Sequence, residues 1–139
     1  MKKQINKALL FSIFMLVTII SCTSDENLDT NPPGIVTNIE VIPTNGGGII
    51  NYTLPADDDI LYVKAVYTNS QGEEVFRVSS KHTSTLEVNG LNQTSAVKVK
   101  LYVLDESENI SESVEIEFTP LKSFIFLVQE SIQITPDLG

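Results

Sequence analysis

The chain has 139 residues and a formal net charge of −9 at pH 7, from nine basic and eighteen acidic side chains. Such an acidic chain is poorly suited to nucleic acid, where Lys and Arg must neutralise phosphates, or to docking on anionic lipid through a basic patch. Its one cysteine excludes a disulfide within the chain and a cysteine-based metal cluster.

The chain opens with Lys2, Lys3 and Lys7, then an apolar run from Ala8 to Ile20 interrupted only by Ser12 and Thr18. A basic start, a short apolar run and a small residue before the cut are the parts of a secretory signal peptide. The run falls short of the roughly 20 apolar residues that a membrane span needs. Ser21 followed by Cys22 resembles the lipobox of bacterial lipoproteins. That resemblance implies cleavage after residue 21, acylation of Cys22 and a membrane-anchored mature chain. Two or three acyl chains anchor durably where one is marginal. Ser24, Asp25 and Glu26 after the cysteine resemble the surface-export signal of Bacteroidetes-type lipoproteins, which implies the outer face of the outer membrane. Removing residues 1–21, with three lysines and no acids, would leave 118 residues and a charge of −12, enough chain for one domain with tails.

Residues 22–34 read as the lipidated cysteine and a polar linker, closed by Asn31-Pro32-Pro33-Gly34. Period-two alternation then dominates, and it predicts seven strands: 36–42, 49–54, 60–68, 74–79, 83–88, 97–105 and 113–119. Asn45-Gly46-Gly47-Gly48, Asn69-Ser70-Gln71-Gly72 and Asn89-Gly90 mark turns between them. Ile50, Tyr52 and Leu54 are expected to point inward, as are Val97, Val99, Leu101 and Val103, and Val114, Ile116 and Phe118. Seven short strands within residues 35–120 predict an all-β, seven-stranded sandwich of the fibronectin type III or immunoglobulin-like kind.

Particular residues carry a family resemblance. Tyr52-Thr53-Leu54-Pro55 ends the second strand much as a Trp-x-x-Pro ends strand B of fibronectin type III domains. Leu61, Val63, Ala65 and Tyr67 look like their strand C, Leu91 like their E–F corner leucine, and Asp105 to Ser111 like the F–G turn of bacterial versions. The chain departs from animal-type domains in lacking tryptophan and in placing Val97 where a corner tyrosine would stand. The ordered set of lipobox, acidic linker, Pro-Pro-Gly, Gly-rich turn, Tyr-Thr-Leu-Pro and Leu-Tyr-Val-Lys-Ala-Val-Tyr resembles an N-terminal domain of unknown function in Bacteroidetes surface lipoproteins. Those lipoproteins are typically encoded beside starch-utilisation-type glycan uptake systems. The resemblance implies a role in polysaccharide capture, with neighbouring glycan-uptake proteins as partners.

In residues 121–139, Phe124, Phe126 and Val128 alternate again, followed by Ile132 and Ile134. This resembles the opening strand of a second domain and leads to the expectation of a truncated product. The alternative is a strand that joins the sandwich edge or a partner, since a strand without a partner is an aggregation liability.

Chemistry-bearing patterns are few. His82 sits beside Lys81 in a predicted turn, where a solvated surface role is the commoner one. No nucleophile elbow or His-Glu-x-x-His motif occurs, and the Gly46-Gly47-Gly48 run precedes a strand rather than a phosphate-binding helix. Asp57, Asp58 and Asp59 form the densest acidic feature, a candidate calcium site or a solvated loop, and the shared B–C and F–G end of a sandwich is expected to bring Asp105, Glu106 and Glu108 near it. Tyr62, Lys64, Lys100 and Tyr102 are expected on one outer face, a candidate patch for a ligand or a neighbouring domain. The sequence thus leads to a non-catalytic, surface-displayed lipoprotein module, without a firm cofactor, for binding or spacing in polysaccharide capture. The alternative is a purely structural spacer or protein-interaction domain.

Overall fold

The computed structural model describes residues 29–132. Cys22 and the Ser24-Asp25-Glu26 segment lie outside the described residues, as do residues 133–139 of the tail. Seven strands form: β1 Thr37–Thr44, β2 Gly47–Thr53, β3 Ile60–Thr68, β4 Glu74–Ser80, β5 Thr85–Asn89, β6 Val97–Asp105 and β7 Val114–Phe118. A helix, α1, spans Phe124–Ser131. The strands make two antiparallel sheets, one of order β1-β2-β5 and one of order β4-β3-β6-β7. The protein is an all-β sandwich of the fibronectin type III type.

Alternation explains which residues fill the space between the sheets. Ile50, Val63, Ala65, Val88, Leu91, Val99, Leu101 and Val103 are fully buried, with Tyr52, Tyr67 and Phe118 closing the ends of the core. The inward-facing residues expected in the second, sixth and seventh strands are buried or packed against the core, and β3 and β6 have their predicted bounds. Each of these strands has a single register that buries its apolar set, and a one-residue slip would expose it. The Tyr67 hydroxyl also crosses between sheets, donating to the Asn89 carbonyl at 2.8 Å.

Two stretches differ from the expectation. The glycine-rich turn is shorter than its composition suggests, because Gly47 and Gly48 belong to β2. A Cβ on Gly48 would lie 2.7 Å from the Phe118 ring, and one on Gly47 would lie 2.1 Å from the Val88 carbonyl oxygen. Only Gly46, at φ +72°, serves the turn. Pro43, just past the predicted strand 36–42, lies inside β1; this is an edge strand, where a missing N–H is tolerated.

The second difference is the tail. Where the sequence predicts a strand, Phe124–Ser131 is helical. Short apolar runs do not separate helix from strand by periodicity, and a helix satisfies its backbone without a neighbouring strand. The segment before α1 is tied to the β1–β2 turn: Leu121 N–H donates to the Thr44 carbonyl, Gly46 N–H to the Leu121 carbonyl, and the Asn45 amide to the Lys122 carbonyl. None of the helical residues is buried. No helix among the described residues is long and apolar enough to cross a membrane.

Candidate functional site

Two surface features collect the polar and aromatic residues singled out above. The first is the outer face of the four-stranded sheet. Strand pleating sends alternate residues away from the core. On this face β3 presents Tyr62, Lys64 and Val66, β6 presents Lys98, Lys100, Tyr102 and Leu104, and β4 presents Phe76 and Val78. Pairing places Lys64 opposite Tyr102, Val66 opposite Lys100 and Tyr62 opposite Leu104.

A groove of about 350 Å³ opens here, lined by Lys64, Val66, Glu74, Lys100, Tyr102, Leu104 and Ile110. A second depression of about 300 Å³ adjoins it, sharing Val66, Glu74 and Lys100, so the trough continues along the sheet. Three of the four residues expected in a patch therefore line the groove. Tyr62 lies on the same face beyond the lining. The Lys64 ammonium sits 5.0 Å above the Phe76 ring, and Lys98 pairs with Glu115 at 2.8 Å. Their hydrogen bond, with the opposite charges behind it, raises the Lys98 pKa and lowers that of Glu115. Lys100 makes no salt bridge among the described residues.

Phe76 is 58% exposed and Val78 is 54% exposed, an apolar addition to the face that sequence reasoning did not single out. The signal lies in how β4 pairs with β3. There Val75, Arg77 and Ser79 pair with the inward residues Tyr67, Ala65 and Val63, which leaves Phe76 and Val78 facing out.

The second feature is an acidic corner, and it corrects the expected cation site. The Asp57-Asp58-Asp59 triplet does not act together. The Asp57 carboxylate accepts the Gly34 N–H at 2.8 Å and holds the linker, while Asp58 is exposed. Only Asp59 meets other acids: carboxylate oxygens of Asp29, Asp59 and Asp105 lie within 4.8 Å of one another. Adjacent residues in a loop point apart, whereas chain return brought in Asp29 from the linker and Asp105 from the end of β6.

Asp105 is fully buried. One of its carboxylate oxygens accepts the N–H groups of Ser107 (2.9 Å) and Asn109 (2.8 Å), and the other accepts the Asn109 side-chain amide (2.8 Å). That amide also donates to the Asp29 carbonyl at 2.9 Å, and Glu106 N–H donates to the Asp59 carbonyl at 2.9 Å. The Asn31 N–H holds the Asp29 carboxyl below its usual range. Burial pushes the Asp59 carboxyl up, and the neighbouring Asp105 and Asp29 add to the rise. Three carboxylates in this arrangement offer oxygen ligands to a hard cation such as calcium, which takes 6–8 oxygens. Without one they repel.

His82 is exposed in the β4–β5 turn, its N–H directed at the Ser80 hydroxyl at 3.3 Å.

Comparison with known proteins places this geometry in a family. Residues 33–120 match the model of a domain family described as a domain of unknown function, DUF4959. The chain belongs to that family. The matched span of this DUF4959 domain contains all seven strands and both surface features apart from Asp29. No curated protein matches it.

Among solved structures, the DUF4959 chain is similar to the fn3 domain of human collagen alpha-1(XX) chain, at TM-score 0.56 and 14% identity over 68% of this chain and 90% of that one. It is also similar to a computationally redesigned β-sandwich protein, at TM-score 0.52 and 14% identity over 63% and 90% of the two chains. A third likeness is to the Clostridium perfringens spore cortex lytic enzyme SleM, at TM-score 0.51 and 14% identity, covering 63% of this chain but 28% of the enzyme. At these identities the likenesses establish the sandwich and nothing about activity.

Proposed function

We propose that this DUF4959 domain is a non-catalytic binding module that helps capture polysaccharide at the cell exterior. In this reading it is held at the outer membrane by lipid on Cys22, with Ser24, Asp25 and Glu26 as the export signal and neighbouring glycan-uptake proteins as partners. The observation that supports binding most is the trough on the outer sheet face. There the Tyr102 side chain, aliphatic walls from Val66, Leu104 and Ile110, and the polar heads of Lys64 and Lys100 line one open groove. Sugars present both apolar ring faces and hydroxyls, and a mixed aromatic, aliphatic and polar lining suits both.

Affinity electrophoresis of the full chain through gels containing a panel of polysaccharides tests this reading. At least one polysaccharide should retard the protein relative to a blank gel. Uniform mobility across the panel would instead favour a spacer. That second reading draws support from Phe76 and Val78, whose exposure also suits packing against a neighbouring domain. The display part is tested separately. Replacing Cys22 with Ser should release the protein from the membrane fraction, and protease added to intact cells should digest the wild type.

A further inference from the structure

Resting on the polysaccharide reading, we infer that the ligand of the outer-face trough is an anionic glycan, a chain bearing carboxylate or sulfate groups. The charge distribution carries this. Residues 29–132 hold six basic side chains against fifteen acidic ones, yet three of the six, Lys64, Lys98 and Lys100, stand together on this one sheet face. Lys98 is engaged by Glu115, and the register sets Glu117 opposite Lys98 and Glu115 opposite Lys100, so two lysines meet two acids on that flank. Lys64 and Lys100 have no carboxylate within salt-bridge distance among the described residues, and both line the groove. Glu74 is the one acid in that lining. In an otherwise acidic domain the groove lining thus holds two lysines against one acid, a net positive charge that favours the opposite charge in whatever enters it.

The geometry favours a glycan over an acidic polypeptide. The lysines alternate with apolar and aromatic neighbours across two adjacent strands: Lys64 lies opposite Tyr102, and Val66 opposite Lys100. Each cation thus has a ring or an aliphatic surface beside it, which suits a polymer whose units present an apolar ring face and a charged substituent together. The trough also lies on a sheet face whose backbone is already paired. Strand addition, a common mode for peptides, is therefore closed to it.

The test uses the full chain in affinity gels containing polygalacturonate, dextran sulfate, neutral dextran, neutral starch or poly-glutamate. Retention by polygalacturonate or dextran sulfate, weakened between 50 mM and 500 mM salt, is expected; comparing the two shows which anion is preferred. The K64A/K100A variant should bind about tenfold more weakly, as two exposed charge contacts imply. K64R/K100R should keep binding, and Glu74→Gln should strengthen it. Thermal melts of the variants, all on the exposed face, report folding separately. Salt-independent retention by a neutral polysaccharide, unchanged in K64A/K100A, would overturn the anionic assignment and leave the polysaccharide reading standing. Equal retention by poly-glutamate would overturn it in favour of an acidic polypeptide. Retention by none of the five would overturn the anionic assignment, and the wider panel then decides the polysaccharide reading itself.

Discussion

Asp105→Ala should be among the most damaging single changes in this domain, although the residue sits at a strand end and not in the apolar core. Its buried carboxylate accepts three hydrogen bonds, two from the backbone of the β6–β7 turn and one from the Asn109 amide. Hydrogen bonds to a charged group contribute about 1.5–3 kcal/mol each, and a buried donor left without a partner costs about 1–3 kcal/mol. Ser107 and Asn109 are only half-buried, so water can reach some of the freed N–H groups and the lower end of the range applies. Relief of the repulsion from Asp29 and Asp59 offsets part of the loss. A net cost of about 3–4 kcal/mol follows, or roughly 15–25 °C in Tm for a domain of this size. Urea denaturation of the full chain, read by circular dichroism, measures it. Asp58→Ala, at an exposed position of the acidic triplet, should stay within about 0.5 kcal/mol of wild type. An Asp105→Ala protein within about 1 kcal/mol of wild type would refute the reasoning that this carboxylate organises the turn.

Further outcomes follow from the same geometry. Gly48→Ala puts a methyl 2.7 Å from the Phe118 ring and should cost about 1–3 kcal/mol by overpacking, seen as a lowered Tm; an unchanged Tm would mean that the sheets are free to move apart there. Asp59→Asn should raise the Tm in the presence of a chelator, because the Asp59 carboxyl is pushed up by burial first and then by Asp105 and Asp29. A carboxyl whose folded pKa is raised loses stability as pH rises through that pKa. The gain from Asp59→Asn should therefore be greatest at neutral pH and vanish below about pH 4, the ordinary carboxylate range. A lower Tm at neutral pH would contradict the repulsion account.

How far the sequence foretold the molecule differs by feature. The bounds of β3 and β6 were legible because each alternates between core and surface over most of its length, and only one register buries Val63, Ala65 and Tyr67 or Val97, Val99, Leu101 and Val103; the alternation breaks at Leu61, exposed beside an irregularity in β3, and at the buried Leu104 and Asp105. Gly47 and Gly48 were not, since glycine marks both turns and close approaches, and the contacts that decide come from Val88 and Phe118 far along the chain. The helix at Phe124–Ser131 was hidden by an apolar run that suits either conformation. At the acidic corner, composition pointed to the right loop, and the shared B–C and F–G end of a sandwich pointed to Asp105 but not to Asp29. Asp29 joins Asp59 and Asp105 through a return of the linker that no local pattern encodes. On the outer face, Lys64, Lys100 and Tyr102 came together as period two demands, whereas Phe76 and Val78 needed the pairing of β4 with β3.

The claim that the outer-face trough binds glycan is tested most directly by Tyr102→Ala and Tyr62→Ala on whichever polysaccharide retards the wild type. Tyr102 lines the groove and Tyr62 does not. Loss of an aromatic stacking contact of about 1 kcal/mol corresponds to roughly a fivefold change in affinity. Tyr102→Ala should therefore need roughly five times more polysaccharide for the same retardation, with its melt preserved, while Tyr62→Ala stays near wild type. Full retention by Tyr102→Ala, or loss of retention only alongside a collapsed melt, would contradict the account.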